Sequence, residues 1–533
     1  MHHTMLVCLM ALALAACAPA RAQSPSAQPE TQANAQTQAQ TKAETKAETE
    51  SKPAPKPELN PDAAPVSTEH EVTIAGVPIR YRATAGLMPL LDDYGKSKAR
   101  IFYVAYEKLE KGADGSWQRP AAAARPVTFS FNGGPGSSSV WLHMGALGPR
   151  RVVFGPEGEA LPPPAKLADN EHSWLDLTDL VFIDPVSTGF SRANEGESPS
   201  QFHGLNEDAS SVADFIRLWI SRSGRWLSPK YLVGESYGTT RAAALSAELQ
   251  DRLGIYLNGI SMVSMVLNFQ TLSFDLGNDT AYWLFLPSYT ATAFYHGKLR
   301  APLSEDFERA VQSARDFAVR EYLPALARGD TLTEAERDAL ASRLAEFMGV
   351  SAEFVKQRRL RVSVPAFTKE LLRDQSRTVG RLDSRYKGID RFDATDEYEY
   401  DPSYAAILGP YTAALNSYVR EELAWTTDVN YEILTGRVRP WKYPDGRFVD
   451  VSETLRASMS KNPALRVWVA NGYFDLATPF FAAEHTVARM GLDPALRGNV
   501  TMTYYKSGHM MYVRREDLEK LKQDAAEFYK KGQ

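Results

Sequence analysis

The sequence predicts an α/β fold in which a mostly parallel central sheet is flanked by helices and carries a large, mainly helical cap insertion. Three observations point to it. Short apolar runs of the buried-strand type alternate with helically spaced segments through the first half of the body. The alternation stops over residues 268–454, where helical spacing and aromatic residues take over, and returns towards the C-terminus. The 533-residue chain is 44% hydrophobic and 23% charged, a balance that sustains a sizeable core.

The elements follow in chain order. Residues 5–16 (MLVCLMALALAA) form an apolar run too short for an ordinary transmembrane helix, and they read as the core of a signal peptide spanning 1–22. Leu14-Ala15-Ala16-Cys17 is similar to a bacterial lipobox, so lipidation of Cys17 is expected; Ala20-Arg21-Ala22 offers ordinary signal-peptidase cleavage instead. The expected location is the bacterial cell envelope, periplasmic and lipid-anchored, or otherwise secreted. Residues 23–70 are rich in Gln, Ala, Thr, Lys, Glu and Pro and poor in large apolar residues, which predicts a disordered tether. The α/β body is expected at 71–267 and 455–533, with the cap at 268–454. VTIAG, VPIRYRATAG and ARIFYVAYEKL predict three entry strands, and PVTFSF (126–131), 180–183, 231–233 and 260–266 predict buried strands. Helices are expected at 208–220 and 239–249, then at 305–322 and 333–347 inside the cap. Strands at 465–470 and 500–505 and a charged helix at 514–531 complete the body.

Composition excludes several classes of function. Lys+Arg (60) nearly balances Asp+Glu (65), for a net charge of −5, which argues against phosphate-driven nucleic-acid binding. The only cysteines are Cys8 and Cys17, so no cysteine nucleophile, disulfide framework or thiolate metal site is available to the body. The nine histidines form no HExxH motif; neither metal nor cofactor is expected.

Gly234-Glu235-Ser236-Tyr237-Gly238 lies between an apolar strand and an Ala-rich helix, the context of a nucleophile elbow and hence of the α/β-hydrolase fold. The chain order of such sites is Ser, acid, His. Three histidines follow Ser236: His296 in the cap, His485 in a helical run, and His509 in a turn after a strand, where it can reach the elbow. Asp475 is the only carboxylate in the loop after the preceding strand. The triad is therefore expected to be Ser236, Asp475 and His509. The glycine-rich loop Asn132-Gly133-Gly134-Pro135-Gly136-Ser137-Ser138 lacks the Lys-Ser/Thr ending of a P-loop, and its place suits a second oxyanion donor.

Together with Asp184-Pro185, Gly189-Phe190-Ser191 and Gly508-His509-Met510, these motifs resemble the serine carboxypeptidase family, peptidase family S10, with bacterial members the nearest in appearance. The resemblance implies a serine carboxypeptidase that releases C-terminal residues from peptides through an acyl-enzyme. It implies an oxyanion hole from the N–H groups of Gly134 and Tyr237. It further implies that Asn132, the Gly133 N–H and Glu235 bind the substrate's terminal carboxylate. Ser130, Ser137 and Ala146 depart from the family's usual Trp, Cys and Glu, and these departures bear on how strictly exopeptidase the activity is. An acyltransferase, esterase or aminopeptidase is the alternative, although a prolyl aminopeptidase would typically carry His in place of Asn132.

Overall fold

The computed structural model describes residues 64–531. The expected signal peptide, Cys17 and most of the expected tether lie outside the described residues. The tether boundary at 70 is corrected: the first strand begins at Val66, and its inward and outward residues alternate along an edge.

The strands of the main sheet are β1 (Val66–Ile74), β2 (Val77–Leu91), β3 (Ser97–Lys108), β4 (Val127–Phe131), β5 (Asp179–Ile183), β6 (Lys230–Glu235), β7 (Gly259–Val263), β8 (Arg466–Gly472) and β9 (Val500–Tyr505). The principal helices are α1 (Leu205–Arg222), α2 (Tyr237–Ala247), α3 (Thr280–Tyr295), α4 (Phe307–Phe317), α5 (Glu334–Met348), α6 (Pro402–Glu421), α7 (Ser452–Lys461), α8 (Phe480–Arg489) and α9 (Arg515–Lys531). The strands lie in the order β1-β2-β3-β5-β4-β6-β7-β8-β9. β1, β2, β3 and β5 pair antiparallel in sequence. From β5 to β9 every pairing is parallel.

β4 to β7 are buried at every position, as strands covered on both faces must be. One face packs on α6 and α9 through Tyr411, Leu415, Tyr418, Leu521 and Phe528. The other packs on α1, α2 and α7 through Phe215, Trp219, Leu245 and Leu455. After β4 the chain moves to one side of it, to β5, then returns on the other side at β6. That reversal opens a crevice at the carboxyl ends of β4 and β6, where ligands of open α/β sheets bind. The glycine-rich loop and the Ser236 turn emerge on either side of it.

The stretch 268–454 divides its packing. Residues 281–379 share a hydrophobic core with Phe474, Leu476 and Phe480. α6 instead sinks its apolar side into the main sheet, and Val449 and Val451 join the core beneath α1 and α2. Among the described residues no helix is long and apolar enough to cross a membrane.

Candidate active site

Ser236 sits where β6 turns into α2, with φ 60° and ψ −130°. That conformation is rare for a residue with a β-carbon, and the surroundings enforce it. The Ser236 N–H donates to the Val263 carbonyl (3.0 Å), and Thr239 N–H donates to the Ser236 carbonyl (2.8 Å). A β-carbon at Gly234 would run into the Gly238 carbonyl oxygen, so the turn closes this tightly only with glycine there. Ser236 is half-buried, and among the described residues its hydroxyl makes no hydrogen bond.

His509 follows β9 by four residues and Asp475 follows β8 by three. His509 Nδ1 and Asp475 Oδ2 are 2.8 Å apart. Asp475 is wholly buried; its Oδ1 accepts from the N–H groups of Ala477 (2.7 Å) and Thr478 (2.9 Å), and its Oδ2 also accepts from Thr478 Oγ1 (2.7 Å). These donors hold the carboxylate as an acceptor for Nδ1–H, which leaves Nε2 unprotonated and able to accept. Burial alone pulls the imidazole down; the charges of Asp475 and Glu235 overcome it and set His509 above its ordinary value. Ser264 ties this loop to the elbow: its Oγ donates to the His509 carbonyl (2.7 Å), and its neighbour Val263 accepts from Ser236.

The glycine-rich loop lies against the first turn of α2. A β-carbon at Gly133 would meet the Tyr237 nitrogen at 2.5 Å, so glycine permits the contact. Among the described residues the N–H groups of Gly133, Gly134 and Tyr237 have no acceptor. Three unpaired donors thus lie on the glycine-rich loop and the elbow it packs against, and α2 adds its positive end.

Glu235 is buried beside Ser236, and its Oε2 accepts from the Tyr512 hydroxyl (2.6 Å). Burial pushes its carboxyl up to about 7, against the pull of the His509 charge and the Tyr512 hydroxyl and with the push of Asp475. Asn132 lies beside this carboxyl. Its Oδ1 accepts from Leu142 N–H (3.1 Å), while its Nδ2 is buried without a well-formed hydrogen bond.

All the expected residues of the body, Asn132, Gly133, Gly134, Glu235, Ser236, Tyr237, Asp475 and His509, stand on one rim of the sheet. His296 and His485 stand elsewhere. His296 Nε2 contacts the Ser384 carbonyl (2.7 Å), and His485 packs edge-on to Trp283.

Sequence reasoning missed several supports. Arg241, 1% exposed, donates from Nε to Asp208 (2.7 Å) and from a terminal nitrogen to the Asn132 carbonyl (2.5 Å), fastening the glycine-rich loop to α2. Asp184 Oδ1 accepts from both the N–H and the hydroxyl of Ser139 (2.8 Å each), which anchors the loop's far end. The segment 381–384 braces the other two loops: Leu382 accepts from His509 N–H (2.7 Å), Arg381 accepts from Leu476 N–H (3.0 Å), and Asp383 accepts from Gly508 N–H (3.0 Å). No spacing rule links these partners. The signals were slight: Asp184 stood in a motif with no partner assigned to it, and Arg241 and Asp208 are charged residues on the inner faces of their helices.

A serine on a strand–helix elbow, at the carboxyl edge of a mostly parallel sheet with helices on both faces, makes the molecule an α/β-hydrolase. Within that class the chain belongs to the serine carboxypeptidase family, peptidase family S10, whose profile matches residues 78–523. Serine carboxypeptidase-like 46 of Arabidopsis thaliana is 27% identical over 224 residues, 38% of this chain and 43% of that protein. The pheromone-processing carboxypeptidase kex1 of Sclerotinia sclerotiorum is 33% identical over 136 residues, 25% of this chain and 20% of that protein. The chain thus spans less than half the length of these curated relatives. The crystal structure of Kex1Δp, a prohormone-processing carboxypeptidase from Saccharomyces cerevisiae, superimposes with a TM-score of 0.50 at 16% identity, covering 84% of this chain and 91% of that one. At that identity the likeness speaks for the fold. These relatives are plant and fungal; they support the family and not the expected closeness to bacterial members.

Proposed function

We propose that this protein is a serine carboxypeptidase that removes C-terminal residues from peptides without a cofactor. Ser236 Oγ attacks the scissile carbonyl while His509 Nε2 takes its proton, and Asp475 stabilises the imidazolium that forms. The N–H groups of Gly134 and Tyr237 receive the developing oxyanion. His509 returns the proton to the departing amine, and water then hydrolyses the acyl-enzyme by the same route. Membership of the family supports this reading, as do the unpaired donors of the glycine-rich loop and the elbow.

The observation that carries the carboxypeptidase reading is Glu235. A buried carboxyl next to a nucleophile, beside the unpaired Gly133 N–H and the Asn132 amide, suits a partner that brings its own negative charge. Two carboxylates about 3 Å apart repel by about 5 kcal/mol at an effective dielectric of about 20. Glu235 therefore binds the substrate's carboxylate in its protonated form, as a donor. The active free enzyme holds a proton on Glu235 and none on His509.

The pH dependence has a definite sign. Activity rises as His509 loses its proton and falls as pH passes about 7 and Glu235 ionises. Because the two groups interact, the limbs report macroscopic values of the pair. A peptide amide brings no charge and escapes most of the alkaline loss. The test is kcat/KM against pH for a matched peptide acid and peptide amide, in wild type and Glu235→Gln. The substitution should flatten the alkaline limb for the acid alone. Equal cleavage of acid and amide at every pH by the wild type would transfer the reading to another α/β-hydrolase activity. We also read the N-terminus as an export signal that places the enzyme in a bacterial cell envelope, anchored by lipid on Cys17.

A further inference from the structure

We propose that Tyr512 is a positioning residue that fixes which oxygen of Glu235 carries the proton offered to the substrate's carboxylate. The inference rests on the carboxypeptidase reading. Tyr512 is buried, and its hydroxyl donates to Glu235 Oε2 at 2.6 Å. A neutral carboxyl has one acceptor oxygen and one that bears hydrogen. With Oε2 claimed as acceptor, Oε1 is left to bear the proton and donate it.

The ring's placement depends on its neighbours. A β-carbon at Gly145 would collide with the Tyr512 ring and with the hydroxyl of Tyr411. Glycine therefore makes room for both tyrosines beneath the glycine-rich loop. The next residue, fully buried Ala146, cannot supply a second carboxyl. The hydroxyl of Tyr512 is thus the protein group that holds Glu235 from this side.

The groups facing this pair come from several elements. His509 and Asp475 approach from the loops after β9 and β8, Asn132 from the loop after β4, and Tyr411 from α6, with Arg151 and Tyr386 beyond Tyr411. Among the neighbours of Glu235, the His509 charge and the hydrogen bonds of Tyr512 and Asn132 favour its ionised form, and Asp475 opposes it. Loss of the Tyr512 hydroxyl therefore moves the Glu235 titration upward.

The test is Tyr512→Phe, which keeps the ring and removes the donor. For a peptide acid below pH 7, KM should rise about tenfold with kcat near wild type, the usual scale for one hydrogen bond to a group that becomes charged. The alkaline limb for the acid should move to higher pH. The matched amide should change little in either respect. A second pair guards against an unstable single variant: in a Glu235→Ala background, which has no group for the hydroxyl to orient, adding Tyr512→Phe should change the acid's KM by less than twofold. Equal effects on acid and amide, an unmoved alkaline limb, or a full tenfold effect in the Ala background would each reduce Tyr512 to packing. If the wild type itself fails to distinguish acid from amide, the carboxypeptidase reading fails, and this result is separable from the behaviour of the variant.

Discussion

Ser236 holds a backbone conformation that costs a non-glycine residue on the order of 1–3 kcal/mol, and the Val263 and Thr239 hydrogen bonds impose it. Its hydroxyl makes no hydrogen bond among the described residues, so removing it leaves nothing unsatisfied. Ser236→Ala should therefore lower kcat by about 10⁴- to 10⁶-fold while unfolding in denaturant shifts by no more than about 0.5 kcal/mol. Asp475→Asn should cost about 10⁴ in kcat, because an amide can present its NH₂ to Nδ1 and favour the wrong tautomer. Stopped-flow and steady-state assays on the purified variants check both. At this scale the G-x-S-x-G pattern and the turn histidine were legible because each sits beside a strand that announces itself. Tyr512 was not: its partner Glu235 is 277 positions away, and only the folded chain brings them together.

The strands were the most legible elements, since β4 to β7 are buried on both faces and their sequences are correspondingly apolar. What joins element to element was hidden. Arg241 on α2 pairs with Asp208 on α1 in full burial while also holding the Asn132 carbonyl. Arg241→Met should destabilise the fold by about 3–5 kcal/mol, because Asp208 is left charged and unpaired, and adding Asp208→Leu should recover part of the loss. Equilibrium denaturation of the single and double variants decides this; a loss below about 1 kcal/mol in the single variant would contradict it. Asp184 makes a second prediction. Burial raises its carboxyl to about 6, and its Oδ2 is buried without a well-formed hydrogen bond. The folded state therefore binds the proton more tightly than the unfolded state does. Stability contributed by the neutral form is lost as pH rises from about 4 to about 6. Asp184→Asn should remove that decline, so the difference in Tm between variant and wild type should grow in the variant's favour from pH 4.5 to pH 7. A constant difference across that range would refute the assignment.

Over the whole molecule, sequence periodicity separated helical insertion from sheet but could not show where the insertion packs. α6 lies inside the stretch expected to form the cap, yet Tyr411 and Tyr418 belong to the core of the main sheet. The brace at 381–384 also lies inside that stretch, yet it holds both the histidine and aspartate loops through their backbone N–H groups. These relations depend on long-range contacts that local pattern does not encode. At the other end of the chain, the lipidation proposal expects mature protein to begin at an acylated Cys17 and to partition with membranes. Intact-mass analysis that finds a soluble mature chain starting at Gln23 would contradict it. The central claim is that a serine mechanism is coupled to recognition of a free C-terminus. It is tested most directly by mass spectrometry of a mixture of peptide acids and their C-terminal amides after incubation with the purified enzyme. The account predicts stepwise loss of single C-terminal residues from the acids below pH 7, a preference over the amides that shrinks as pH rises through about 7, and no detectable reaction in Ser236→Ala. Internal cleavage, or equal processing of acids and amides across the pH range, would contradict it.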